Sequence, residues 1–174
     1  MGKQSVLILF LLLCFIGCGI NSSNSKLFES FFVGESGIQY FIKPLEFRGE
    51  NKTKLLMDIT IIMKNVNENK ATVNFSLIGN KVITIIDSMS ITQSNQKMFL
   101  QNIEPLFFEK QKNHFVARYT SKANTEKIIY YFKRNNWNIH IYSDNEKYGY
   151  VSSEKTAKKI KYINKNLFSI IGIK

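Results

Sequence analysis

Two stretches decide the fold: Leu55-Leu56-Met57-Asp58-Ile59-Thr60-Ile61-Ile62-Met63-Lys64 and Ala71-Thr72-Val73-Asn74-Phe75-Ser76-Leu77. In the first, Met57, Ile59, Ile61 and Met63 alternate with Asp58, Thr60 and Lys64; Ile62 is the one exception. In the second, Val73, Phe75 and Leu77 alternate with Thr72, Asn74 and Ser76. A period of two sends successive side chains to opposite faces of a strand. Asn65-Val66-Asn67-Glu68-Asn69-Lys70 between them is turn chemistry, so the pair predicts an antiparallel hairpin with one face in the core.

Outward from this hairpin the strand signals continue. Gly79-Asn80 ends the second strand, Lys81 to Asp87 and Met89 to Thr92 read as further strand, and Asn95-Gln96 marks a turn. Pro105 to Lys110 and His114 to Ser121 predict a second hairpin about Gln111-Lys112-Asn113. Upstream, Ile38 to Ile42 reads as the first strand, and Pro44 predicts an edge position because proline donates nothing to a ladder.

The pattern changes at Asn124, which suits a helix cap; Ile128, Ile129 and Phe132 then share one face of a helix running to about Asn135. Trp137 to Tyr142 returns to strand, with Trp137, Ile139 and Ile141 inward and Asn138, His140 and Tyr142 outward. Tyr148 and Tyr150 fall in a predicted loop. Ser152 or Ser153 caps a last helix whose apolar face is Ala157, Ile160, Ile163, Leu167 and Ile171. Its other face holds Lys155, Lys158, Lys159, Lys161 and Lys165, an amphipathic split at helical spacing. The fold class is therefore α+β: an antiparallel sheet of about six or more strands, followed by a helix-strand-helix segment packed on it. A single domain is expected over residues 27–174, a size at which one core suffices.

Before the domain, Met1-Gly2-Lys3-Gln4 is a short positive start and Val6 to Phe15 an apolar run interrupted only by Cys14. Gly17, a small residue, precedes Cys18, and polar Asn21-Ser22-Ser23-Asn24-Ser25 follows. These are the parts of a secretory signal peptide. The stretch Val6 to Ile20 is shorter than the roughly 18–20 residues of a spanning helix. Val6 stands where an N-myristoylation motif wants Ser or Thr.

Phe15-Ile16-Gly17-Cys18 resembles the lipobox of bacterial lipoproteins, with Phe15 in place of the family's usual Leu. The resemblance implies cleavage between Gly17 and Cys18, acylation of Cys18, a signal peptide over residues 1–17 and a tether over 18–26. Gly19 is not the Asp that resembles an inner-membrane retention signal, and the tether lacks the acidic cluster that resembles a surface-export signal. An outer-membrane lipoprotein facing the periplasm is the expectation, with a secreted soluble binding protein as the alternative. Both cysteines, Cys14 and Cys18, precede the domain, which is thus expected to hold without a disulfide.

The net charge of +11 is unevenly spread. From Cys18 to Glu109 there are nine basic and nine acidic residues; from Lys110 to Lys174 there are fourteen basic and four acidic. Such asymmetry points to an anionic partner, here a headgroup or an acidic protein and not nucleic acid. Tyr130 among Lys127, Lys133 and Arg134 adds aromatic interleaving on the first helix.

Catalytic patterns are sparse. His114 and His140 are the two histidines, at no ligand spacing for zinc, and no phosphate loop, GxSxG or CxxC occurs. Asp58, Asp87, Glu104 and Glu109 are scattered. A non-enzymatic binding or scaffolding domain without cofactor is expected; the competing reading is an unfamiliar hydrolase that gathers these carboxylates or His140.

Overall fold

The computed structural model describes residues 27–63 and 70–171; Gly17, Cys18, the tether, Lys64 and the turn after it lie outside them. Ten strands form one antiparallel sheet: β1 (Phe28–Phe32), β2 (Ile38–Gly49), β3 (Lys54–Met63), β4 (Lys70–Gly79), β5 (Ser88–Gln93), β6 (Gln96–Leu100), β7 (Glu104–Gln111), β8 (His114–Asn124), β9 (Asn138–Ser143) and β10 (Glu146–Ser152). Helix α1 (Thr125–Phe132) separates β8 from β9, and α2 (Glu154–Ile163) follows β10. The architecture is α+β, as the periodicities predict. The strand order is β6-β5-β9-β10-β2-β3-β4-β8-β7, with β1 on β2.

The predicted hairpin is β3–β4 at the middle of the sheet, in register from Lys54 opposite Ile78 to Ile61 opposite Ala71. Its inward residues Met57, Ile59, Ile61, Val73 and Phe75 are fully buried. The sheet curls until the end of β6 meets β8, where Ser121 Oγ donates to the Gln101 carbonyl at 2.8 Å. The concave side holds the core. At the end where β8 finishes and β4 begins, α1 and α2 cover it with Ile128, Phe132, Ile160 and Ile163. Trp137, fully buried, ties the layers together: it stacks on Phe47 and meets Phe132 edge-on at 4.9 Å. Trp137 is the largest of the fully buried side chains, and aromatic area of this kind dominates core energetics.

Several expectations are corrected. Pro44 lies inside β2, an internal strand, because a bulge between Ile42 and Leu45 frees it from ladder duty. Residues 81–87 are not strand but a strap, held chiefly by side chains. Tyr148 and Tyr150 lie in β10, not in a loop, so the C-terminal segment is helix-hairpin-helix. Strands β1 and β6 have no counterpart in the sequence reading. The first helix stops at Phe132, short of Asn135; the Trp137 indole donates to the Tyr131 carbonyl in its last turn and to the Arg134 carbonyl just beyond it.

Both caps form as read: Asn124 Oδ1 accepts from Lys127 N at 2.9 Å, and Ser153 Oγ from Thr156 N at 3.2 Å. Beyond α2 the helix widens into a π turn over Asn164–Phe168. Consecutive Leu167 and Phe168, both within this turn, are buried in the core.

Candidate functional site

The end of the curled sheet opposite the helices is open. Here β2 ends at Gly49 and turns through Asn51 and Lys52, both left-handed at φ 52° and 63°. Thr53 Oγ1 donates back to the Glu50 carbonyl at 2.7 Å and fixes the turn. A Cβ on Gly49 would stand 2.4 Å from Thr53 Oγ1 and 2.8 Å from Tyr150 Cε1, so the close approach requires glycine. The strap crosses the same end. Tyr119 donates its hydroxyl to the Ile83 carbonyl, Ser143 Oγ donates to the Ile85 carbonyl at 2.6 Å, and Asp87 N donates to the Tyr142 carbonyl at 2.9 Å.

Between turn, strap and the β9–β10 hairpin lies a basin of about 480 Å³. Leu77, Ile83, Tyr148 and Tyr150 supply its apolar lining, and Lys81 and Glu50 its charges. Burial, and then the neighbouring Tyr150, push the Tyr119 phenol up to about 12. Tyr148 also rises to about 12, because its hydroxyl donates to the Glu146 carboxylate. Both phenols therefore stay protonated donors at neutral pH.

His140 faces the other side of the sheet, as predicted, between Ser90 and Gly149 on the flanking strands. Its Nδ1 is buried without a partner among the described residues. Burial first, then the Lys147 and Lys97 charges, lower its pKa below 6.5. Nearby, Lys97 Nζ donates to the Tyr142 hydroxyl at 3.1 Å, lowering that phenol, and sits 4.5 Å from the Phe99 ring centre. A general base of the usual kind is oriented by an acceptor and faces a nucleophile. The charges that face His140 are lysines.

The carboxylates do not join His140. Asp58, read as facing out, is outward yet only 2% exposed: Arg118 covers it at 2.6 Å and Asn74 donates at 3.0 Å. Glu109 accepts from Gln111, Glu104 opens β7, and Asp87 ends the strap. His114 starts β8 opposite Gln111. Among the described residues no group of three or more His, Cys, Asp or Glu is placed to hold a metal ion, and no helix is long and apolar enough to cross a membrane.

The lysine face of α2 has the predicted geometry. Lys155, Lys158, Lys161 and Lys165 are exposed, Lys159 is half-buried, and Ile160, Ile163 and Leu167 are buried on the opposite side. Lys158 pairs with Glu154 at 2.6 Å. The start of α2 is tied to β2 by Thr156 Oγ1, which donates to the Glu46 carbonyl at 2.5 Å. Three residues earlier on β2, Lys43 N donates to the Leu27 carbonyl at 2.9 Å, so the first described residue enters beside that helix. Tyr130 is exposed with Lys133 5.7 Å from its ring centre, and with Lys127 it lines a shallow groove between α1 and β6.

Sequence reasoning placed the lysines and His140 on their faces but did not assemble the open end. The basin lining comes from three separated segments, of which Gly79-Asn80, read as the end of a strand, and the turn-forming run Gly49-Glu50-Asn51-Lys52 carry local signals. No family model, no curated protein and no solved structure matches this chain.

Proposed function

We propose that the chain is a lipid-anchored envelope lipoprotein, held at an outer membrane by acylated Cys18, that works as a non-enzymatic binding domain with the α2 lysine face against an anionic surface. The observation that carries the reading is the shared entry point: Leu27 and the start of α2 are both tied to the same short stretch of β2. Leu27 follows Cys18 closely enough that a fully extended tether reaches about 30 Å at most. That common attachment supports a reading in which the anchor brings the cationic helix toward the bilayer. Within the Debye length, about 8–10 Å at physiological salt, each exposed lysine adds on the order of 1 kcal/mol. The apolar side of α2 belongs to the core, so the contact is electrostatic and needs no insertion.

The test follows labelled palmitate and membrane fractionation for wild type and Cys18→Ala in a bacterial host. Loss of label and of membrane location together in the variant supports the anchor; release of unlabelled wild-type protein in soluble form overturns it and favours a secreted domain. In parallel, reversing Lys158, Lys159 and Lys161 to Glu should abolish salt-sensitive retention on anionic vesicles. Unchanged retention would overturn the electrostatic half.

A further inference from the structure

Strand register divides the β6-β5-β9-β10 part of the sheet into two faces. Met89, Ile91, Ile139, Ile141, Tyr148 and Tyr150 turn inward, and the residues between them turn out. Phe99 of β6, Ser90 of β5, His140 of β9 and Gly149 of β10 form one outward row, with Lys97, Tyr142 and Lys147 beside it on the same face. Both helices pack on the concave side, so this outer face has no second layer; Phe99 and Val151 are each 52% exposed. The row is low in the middle, because Ser90 is small and Gly149 has no side chain to stand beside His140.

The face gathers cations without a carboxylate to meet them. Lys97 Nζ crosses β5 to donate to the Tyr142 hydroxyl at 3.1 Å. It lies 4.5 Å from the Phe99 ring centre and 5.4 Å from that of Tyr142, and so bridges two rings whose centres are 6.5 Å apart. Lys147 stands opposite Tyr142 in the register. Both lysines are exposed, and neither has an ion pair among the described residues. An ammonium carries three donors and no acceptor, so the cluster lacks acceptors. On the adjoining part of β2, Glu46 is already shared between Arg48 and Lys54.

The same chemistry continues round the edge of the sheet. Lys97 and Phe99 also line the groove between β6 and α1, together with Lys127 and Tyr130, and Lys133 Nζ sits 5.7 Å from the Tyr130 ring centre. Glu126 is the one acid of that lining, against four lysines along the whole path: Lys97, Lys127, Lys133 and Lys147. Cation and ring therefore alternate along a track. Its β6-to-β10 part alone covers three strand spacings, about 14 Å. A single headgroup does not span that distance, whereas a linear polyanion does. Single-stranded nucleic acid gains much of its affinity from bases stacked on aromatic rings, but here the bridging ammonium closes the slot between Phe99 and Tyr142. A sugar ring needs no slot: its C–H face lies on an exposed ring while its acid group meets an ammonium.

We infer that this outer face binds a linear acidic polysaccharide, with carboxylates at Lys97 and Lys147 and sugar C–H faces against Phe99 and Tyr142. The inference is independent of the anchor and of the α2 lysines.

The probe is a galacturonate hexamer, titrated by calorimetry into the full chain carrying Cys18→Ala. One saturable site that weakens with salt is expected. Lys97→Gln combined with Lys147→Gln should weaken binding at least tenfold, and Phe99→Ala several-fold. Lys70→Gln with Lys81→Gln removes equal charge away from this face and should leave binding unchanged. The His140 ring resonances should move as the hexamer is added, since His140 lies within the cluster. The inference is overturned if the Lys97/Lys147 pair has no effect, if both lysine pairs weaken binding equally, or if His140 does not respond. It also fails if uncharged maltohexaose binds as well, or if a thymidine hexanucleotide binds more tightly, which would point to base stacking. Loss of retention on anionic vesicles in the Lys97/Lys147 variant would make this a headgroup surface and overturn it too. Thermal unfolding of each variant separates a lost site from a lost fold; the lysine pairs, being exposed, decide the matter even if Phe99→Ala unfolds. Palmitate labelling of Cys18 reports on the anchor alone, so failure of one reading leaves the other standing.

Discussion

Protonating His140 is harder in the folded chain than in the unfolded one. Burial comes first among the causes, followed by Lys147 and Lys97, and all three lower its pKa from 6.5. Near that pH the unfolded chain binds more protons, so stability rises with pH there. The contribution of the neutral ring is complete above about pH 6.5 and is lost as pH falls below it toward the folded value. A urea midpoint measured between about pH 5 and 7 should therefore decline less steeply on acidification in His140→Asn than in the wild type. Equal slopes would show that the ring does not contribute in this way. The face His140 occupies was legible from alternation with Ile139 and Ile141; the lysines beside it were not, because they arrive from β6 and from the far arm of its own hairpin. Asp58 is the same lesson in another form. Its period-two position assigned it correctly to the outer face, but burial comes from Arg118, which no local pattern connects to it. Periodicity reports the side a residue points to and is blind to what folds over it.

At the scale of elements, strands with clean alternation and turns with polar clusters were readable, as were both helix caps. Those missed have identifiable defects. Strand β10, Glu-Lys-Tyr-Gly-Tyr-Val-Ser, contains a glycine and amphipathic tyrosines that suit a loop equally well. Strand β6 is five residues long, with three of them exposed. The strap reads as strand from its isoleucines, yet its Ile83 and Ile85 carbonyls accept from the side-chain hydroxyls of Tyr119 and Ser143, an arrangement set by tertiary structure. The turn after β2 offers a direct check. Gly49→Ala places a methyl against Thr53 Oγ1 and the buried Tyr150 ring, and should cost about 1–3 kcal/mol, the range for overpacking. Chemical denaturation of this single variant measures it; a cost near zero would mean that Thr53 and Tyr150 yield freely, and that the wall of the basin is soft.

For the whole molecule, fold class and charge asymmetry were both present in composition and order, while the open end needed the curl that brings β4, β8 and the β9–β10 hairpin together. Strand β7 edges the sheet, exposed throughout and carrying Leu106, Phe107 and Phe108; Pro105 and a bulge next to Leu106 interrupt its ladder, devices that discourage pairing with other chains. The opposite face of the problem is β1. Strand β2 is shared along one side, its Phe47–Gly49 end by β10 and its Ile38–Ile42 end by β1, and β1 has no other neighbour in the sheet. Because Leu27 precedes β1, tension along the N-terminal segment acts at the Phe28–Ile42 end and opens the five pairs one after another, as a zipper. Strand β2 then remains clamped by β3 and β10. Pulled from the N terminus against the C terminus in an optical trap, the chain should yield in a small early step before the main rupture, and a single rupture would disprove it. The first strand is thus a mechanical fuse: a tug on the N-terminal segment is spent in peeling one ribbon before any load reaches the core.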